Sequence, residues 1–254
     1  MINQESMDRT IFLLGGPDLE MVEIQKILES QKINFINRNL HWGAKLSAYE
    51  DVFDDAHTFV AVELIEDCNP PPKYILIDHH NEKSHLPSSI EQVAELLKIK
   101  LNWFQSLVAA NDKAYIPGMI NAGATKAEID SIRQLDRQAQ GVSDEDEKLA
   151  GESILKNLSK TGSLTIVESL TRKFSTITDR LYPYAKLLIH HHDHLVYYGL
   201  GIPVLAKTYQ KFIQQNKAFS GGGEDGFFGI PAGAFSHEEF NNLKDEIIHQ
   251  IQKL

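Results

Sequence analysis

Three short stretches of this chain place carboxylates and imidazoles where apolar runs end. Asp18 and Glu20 follow TIFLL through Gly15-Gly16-Pro17, Glu63 closes FVAVE, and Asp78-His79-His80 comes directly after YILI. Carboxylate oxygens and imidazole nitrogens are the donors that hold divalent cations. If these segments meet, their carboxylates repel and raise one another's pKa. A bound divalent cation resolves that conflict. Each residue alone has a plainer reading: an aspartate after a strand is a turn former or helix cap, and adjacent histidines on a strand point to opposite faces. The joint placement, in chain order, is what points to a metal site.

The elements that must position these residues are legible in the apolar pattern. Thr10–Leu14, residues 33–36, residues 59–64 and Tyr74–Ile77 read as four short strands. Between and after them, Leu19–Ser30 carries Met21, Ile24, Ile27 and Leu28 at helical spacing, Ser88 and Glu91 form a capping box opening a helix to Lys98, and a helix follows over residues 102–111. Near-continuous apolar strands alternating with helices predict an α/β fold, a doubly wound parallel sheet buried on both faces. In such a sheet ligands sit beyond the carboxyl ends of the strands, which is where the acids and histidines fall.

From 122 to 158 the pattern is helical, with Ile129, Ile132 and Leu135 assigned to one face and Ser143 ahead of DEDE starting a further helix. Residues 164–169, 174–181 and the runs KLLIHH and HLVYYG read as strands, and a helix is expected over 204–215. This predicts an N-terminal α/β domain with its helical connector over residues 1–158 and a smaller α+β domain over 159–254.

Composition narrows the partners. The net charge of −10, from 25 basic and 35 acidic residues, argues against a broad duplex nucleic-acid surface, which needs clustered Lys and Arg. A single cysteine, Cys68, excludes an internal disulfide and suits a reducing compartment. No apolar run approaches the roughly 18 residues of a spanning helix, and the start MINQESMDRT is polar. A cytoplasmic protein without membrane attachment is expected.

Further motifs carry less. Arg38, His41, Trp42 and Lys45 follow the second strand and could hold a phosphate and stack a base, or form an ordinary loop. Lys113 and Tyr115 stand beside Asp112. Gly221, Gly222 and Gly223 could present backbone N–H groups to an anion or form a tight turn, with Glu224 and Asp225 adding negative charge. His190, His191, His192 and His194 read as an alternating hairpin and receive no function.

With these motifs in place, the sequence resembles the DHH phosphoesterase superfamily, which includes RecJ-like exonucleases, nanoRNases and family II inorganic pyrophosphatases. The naming tripeptide stands here as Asp78-His79-His80. The family's first motif, His-x-x-Pro-Asp-x-Asp, is matched by Leu14-Gly15-Gly16-Pro17-Asp18-Leu19-Glu20. Its second-motif aspartate corresponds to Glu63, its later single aspartate to Asp112, and its Gly-Gly-Gly-His loop to Gly221-Gly222-Gly223-Glu224. The resemblance implies metal ligation by Asp18, Glu20, Glu63, His79 and Asp112. It further implies contact of His80 with the scissile phosphate or leaving group, orientation of the imidazoles by Asp78, and substrate contact from the three glycines, while Arg38 and His41 are candidate substrate contacts by their place after the second strand alone. Mixed carboxylate and imidazole donors suit Mn²⁺ best, with Mg²⁺ second.

The departures matter equally. Leu14 replaces a ligating imidazole, and Glu20 and Glu63 replace aspartates, which disturbs a two-metal geometry yet leaves Glu20, Glu63, His79 and Asp112 for one ion. The resemblance therefore implies a metal-dependent phosphohydrolase acting on a small nucleotide or short oligonucleotide in a cleft between domains. A degenerate relative that binds a nucleotide or partner without hydrolysis is the alternative, and a homodimer stays open.

Overall fold

A computed structural model describes residues 9–41, 43–221 and 226–254. Trp42, Gly222, Gly223, Glu224 and Asp225 therefore lie outside the described residues. The chain divides into two compact units, residues 1–141 and 142–254.

The first unit holds a four-stranded sheet of β1 (Thr10–Leu14), β2 (Asn34–Asn37), β3 (Thr58–Val62) and β4 (Tyr74–Ile77), in the order β2-β1-β3-β4. Every pairing is parallel, and Leu14 lies beside both Asn37 and Val62, with Val62 beside Ile77. All four carboxyl ends thus finish at one edge. Alternation along each strand separates two apolar layers. Phe12, Leu14, Val60, Val62 and Ile77 pack against α1 (Leu19–Ser30), α2 (Ser89–Leu97) and α3 (Trp103–Ala122). On the other face Leu13, Phe59 and Ala61 pack against a 3₁₀ helix, Leu46–Val52, through Leu46 and Tyr49. Each fully buried Val, Leu or Phe contributes about 1.5–3 kcal/mol, so a one-residue slip in register, which exchanges the two faces, is strongly opposed.

The capping box expected at Ser88 and Glu91 opens α2. The helix expected over 102–111 continues to Ala122 as α3, but it breaks at Ala114 and Tyr115, whose backbone angles are −151°, 26° and 54°, −146°. Pro117 lies just beyond the break; it lacks an N–H and its ring collides with the carbonyl four residues back, so the turn before it cannot close. α4 (Lys126–Ala139) completes the unit.

The second unit begins with α5 (Asp144–Asn157), capped by Ser143. The sequence placed the boundary after this helix, at 158. Ala150 and Ile154 of α5 instead pack with Val167, Phe174 and Ile177, so α5 lies with the second unit. The unit is built on a six-stranded mixed sheet of β5 (Leu158–Thr161), β6 (Leu164–Glu168), β7 (Lys186–His191), β8 (His194–Gly199), β9 (Phe219–Gly221) and β10 (Phe227–Ile230), in the order β5-β6-β7-β8-β10-β9. Residues 174–181, read as a strand from their Thr and Ile content, form α6 (Ser175–Leu181) instead. The reason is topological: β6 and β7 pair in parallel, and a parallel pair needs a crossover, which α6 supplies. The helix expected over 204–215 is split at Tyr209 into α7 (Ile202–Thr208) and α8 (Gln210–Gln214). Phe240, Ile247 and Ile251 of α9 (His237–Lys253) cover the sheet face opposite α5. The histidine run forms the expected β7–β8 hairpin, with His191 opposite His194. Among the described residues no helix is long and apolar enough to cross a membrane.

Candidate metal centre

The site lies in the first unit, at the carboxyl edge of the parallel sheet. Beyond β1, Gly15 passes so close to β3 that a Cβ there would sit 2.8 Å from the Val62 carbonyl oxygen and 2.9 Å from that of Glu63. Only glycine lets the two strand ends approach in this way. The chain then reaches Asp18, which caps α1 by accepting from the Met21 N–H at 2.7 Å. Asp18 is therefore the helix cap that the plainer reading proposed, and it also feels the acids around it. Burial, followed by repulsion from Asp112 and Glu20, pushes its carboxyl up to about 8.

Glu20 sits in the first turn of α1 and is 1 % exposed; its Oε1 accepts from the Ile90 N–H at the start of α2, at 3.0 Å. Glu63 follows β3 in a left-handed conformation, φ 55°, which turns the chain away from the strand. Its backbone N–H donates to Ile77 O at 2.8 Å, tying it to the end of β4. His79 comes shortly after β4 and is 5 % exposed, and Asp112 reaches in from α3 just before the helix break.

Glu20, Glu63 and Asp112 converge on His79. Its Nε2 lies 2.5 Å from Asp112 Oδ2 and 3.6 Å from both Glu20 Oε2 and Glu63 Oε1. Yet Nε2 of His79 and those same three oxygens are buried without a properly aligned hydrogen bond. Buried polar atoms are otherwise almost always paired. Four of them aimed at one point, three carboxylate oxygens and one imidazole nitrogen, fit a hard divalent cation accepting mixed oxygen and nitrogen donors. A ring nitrogen of His80 also lies within 4.8 Å of donor atoms from Glu63, His79 and Asp112, so His80 stands at the same point.

The electrostatics agree. Burial raises the Glu20 and Glu63 carboxyls, and for Glu63 repulsion from Asp18, Glu20 and Asp112 adds to it. Burial alone would lower the His79 imidazole, but contact with Asp112 and Glu20 overrides it and lifts the group to about 10.

His80 and Asp78 form the outer lip. Burial disfavours the Asp78 carboxylate, but the backbone N–H and ring of His80, with Lys83, outweigh it and hold its pKa below the usual range. An ionised Asp78 can only accept, so the contact of His80 Nδ1 at 3.0 Å places the proton on Nδ1. The ring is thereby oriented with its other nitrogen available to a ligand. Leu14, where the family motif carries histidine, is fully buried in the apolar layer with Met21 and Ile24.

The expected substrate residues are placed differently. Arg38 donates to Asp51 Oδ2 at 2.7 Å and to the Ala48 carbonyl, and stacks 5.1 Å over the Tyr49 ring, so its guanidinium is committed to the 3₁₀ helix. His41 is exposed in the loop after β2. Gly221 pairs with Phe227 at the edge of the second unit's sheet. Sequence reasoning missed the partners behind the acids: Asn111, Arg133 and Asp136 are all buried. Their signal was present, because α4 buries Ile132, Arg133, Asp136 and Arg137, a helical stripe that is mostly charged, while Leu135, assigned to the inner face, is exposed.

No protein-family model matches the chain, and no curated protein matches it. Solved structures do resemble it. The DHH domain of a protein described as a member of a family of ribosomal proteins superposes with a TM-score of 0.56 at 10% identity, over 97% of this chain and 87% of that one. The pGpG-specific phosphodiesterase PggH from Vibrio cholerae gives 0.49 at 12% identity, over 98% and 99%. RecJ in complex with Mn²⁺ from Thermus thermophilus gives 0.45 at 9% identity, over 99% of this chain and 53% of its own. A parallel sheet of four strands, followed by a unit with a mixed sheet, is thus similar in fold to a solved DHH domain.

Proposed function

We propose that this chain is a metal-dependent phosphohydrolase that cleaves a small nucleotide or short oligonucleotide. The observation that carries this reading is the convergence of Glu20, Glu63 and Asp112 oxygens on His79 Nε2 with no hydrogen bonds to satisfy them. Glu20, Glu63, His79 and Asp112 would hold one divalent cation, Mn²⁺ before Mg²⁺, with Asp18 beside them. Such a cation lowers the pKa of water and polarises phosphoryl oxygens.

The chain's own residues supply the rest. Burial of Glu20 and His79 excludes bulk water from the inner side of the site. His80, half exposed and oriented by Asp78, would donate to a phosphoryl oxygen or protonate the leaving group from its outer ring nitrogen when that nitrogen also carries a proton. The net charge of −10 favours a small anionic substrate held locally over long nucleic acid.

One observation favours a second reading. Leu14, buried in the apolar layer, supplies no ligand for a second ion, and a chain with one cation could bind a nucleotide without turning it over. The test is to titrate purified protein with Mn²⁺ and assay a dinucleotide, a model phosphodiester and pyrophosphate, with His79→Ala and Asp78→Asn as controls. Turnover dependent on Mn²⁺ and on both residues supports hydrolysis. Nucleotide binding without turnover selects the second reading, and turnover unchanged in both variants removes this site from the reaction.

A further inference from the structure

The acids at the sheet edge come from segments far apart in the chain, and one buried ion pair touches two of them. Asp136 on α4 accepts from the Leu19 N–H at 3.1 Å with Oδ1 and from Arg133 Nη1 at 2.7 Å with Oδ2. Leu19 lies between Asp18 and Glu20. The same Nη1 donates to Asn111 Oδ1 at 2.9 Å, and Asn111 immediately precedes Asp112. The Arg133 guanidinium also stacks 4.5 Å over the ring of Tyr115, which takes the left-handed angle φ 54° at the break in α3. Gln140 adds a donor to Asp136 at 3.0 Å.

We infer that Arg133, anchored by Asp136, is a positioning residue that sets the spacing of the Asp18–Glu20 segment and Asp112 for cation binding. This rests on the metal-site reading above. Stability alone does not require such a pair, since buried ion pairs can often be replaced by apolar side chains of similar volume without loss. What the guanidinium provides is geometry: Nη1 bridges Asp136 and Asn111 while the planar face covers Tyr115. A lysine could supply the charge and a bridging nitrogen but has no planar face to stack on Tyr115. Residues behind metal ligands typically change metal affinity about 10–100-fold when removed.

The test uses the full chain and Mn²⁺ alone, with affinity measured by calorimetry and the fold followed by circular dichroism and thermal melting. Arg133→Met is expected to weaken Mn²⁺ binding at least about tenfold, and Asn111→Ala to weaken it by a smaller factor. Arg133→Lys should recover part of the loss. Asp130→Ala, on the exposed face of the same helix and paired there with Lys126, should leave affinity unchanged. Saturating Mn²⁺ should also give Arg133→Met an electron paramagnetic resonance spectrum closer to that of the hydrated ion. If Arg133→Met does not fold, Arg133→Lys and Asn111→Ala decide. Affinities within about twofold of the unmodified protein in these variants overturn the inference while leaving the metal site standing. Failure of the unmodified protein to bind Mn²⁺ overturns both.

Discussion

Asp18→Asn separates the folding cost of the acidic cluster from its use. The amide oxygen of Asn can still accept from the Met21 N–H, so the α1 cap survives, while the titrating charge is gone. Asp18 keeps its proton to about 8 in the folded protein, against 3.8 for a free carboxyl. Between those values the native state binds more protons than the unfolded chain, so its contribution to stability falls as pH rises. Each pH unit in that window corresponds to about 1.4 kcal/mol. From pH 6 to 8, with titration half complete at the end, the Asp18 contribution drops by about 2 kcal/mol. His79 acts in the same direction above its ordinary value, since its pKa is lifted to about 10. The assay is urea unfolding in EDTA, followed by tryptophan fluorescence; both tryptophans, Trp42 and Trp103, fall within residues 1–141. The unmodified protein should lose about 2 kcal/mol more than Asp18→Asn between pH 6 and 8, and Asp18→Asn should bind Mn²⁺ more weakly. Parallel pH profiles for the two proteins would refute the argument.

Other expectations follow from the same geometry. Protons on Glu20, Glu63 and His79 must leave before a cation enters, so Mn²⁺ affinity should rise from pH 6 to 9 with net proton release, measured by calorimetry in buffers of different ionisation enthalpy. Gly15→Ala forces a Cβ against the Val62 and Glu63 carbonyls and should cost about 1–3 kcal/mol in unfolding experiments, with weaker Mn²⁺ binding as Glu63 is displaced. Tyr49→Phe removes a 2.6 Å bond from the hydroxyl to the Leu14 carbonyl and should cost about 1–2 kcal/mol, with little effect on metal affinity.

Much of the site was readable because strand ends announce it. Three apolar runs ending in Gly-Gly-Pro-Asp, Glu63 and Asp78-His79-His80 place their polar residues at one edge once the strands are parallel neighbours, and they are. The capping box at Ser88 is local chemistry and was equally legible. Residues 174–181 were misread because their β-branched content suggests a strand, whereas the parallel β6–β7 pairing demands a helix there. Arg133, Asp136 and Asn111 escaped notice because a charged stripe reads as a solvated face until neighbouring helices cover it. Arg38 shows the converse: a cation beside a strand end, open to a phosphate in sequence, is taken by Asp51 and Tyr49 once folded.

The most direct measurement is anomalous scattering from crystals of the protein grown with Mn²⁺. The account predicts a single strong manganese peak bounded by the carboxylates of Glu20, Glu63 and Asp112 and by Nε2 of His79, absent in His79→Ala. No peak there at saturating Mn²⁺, or a peak held by other residues with this cluster still closed on itself, would contradict it.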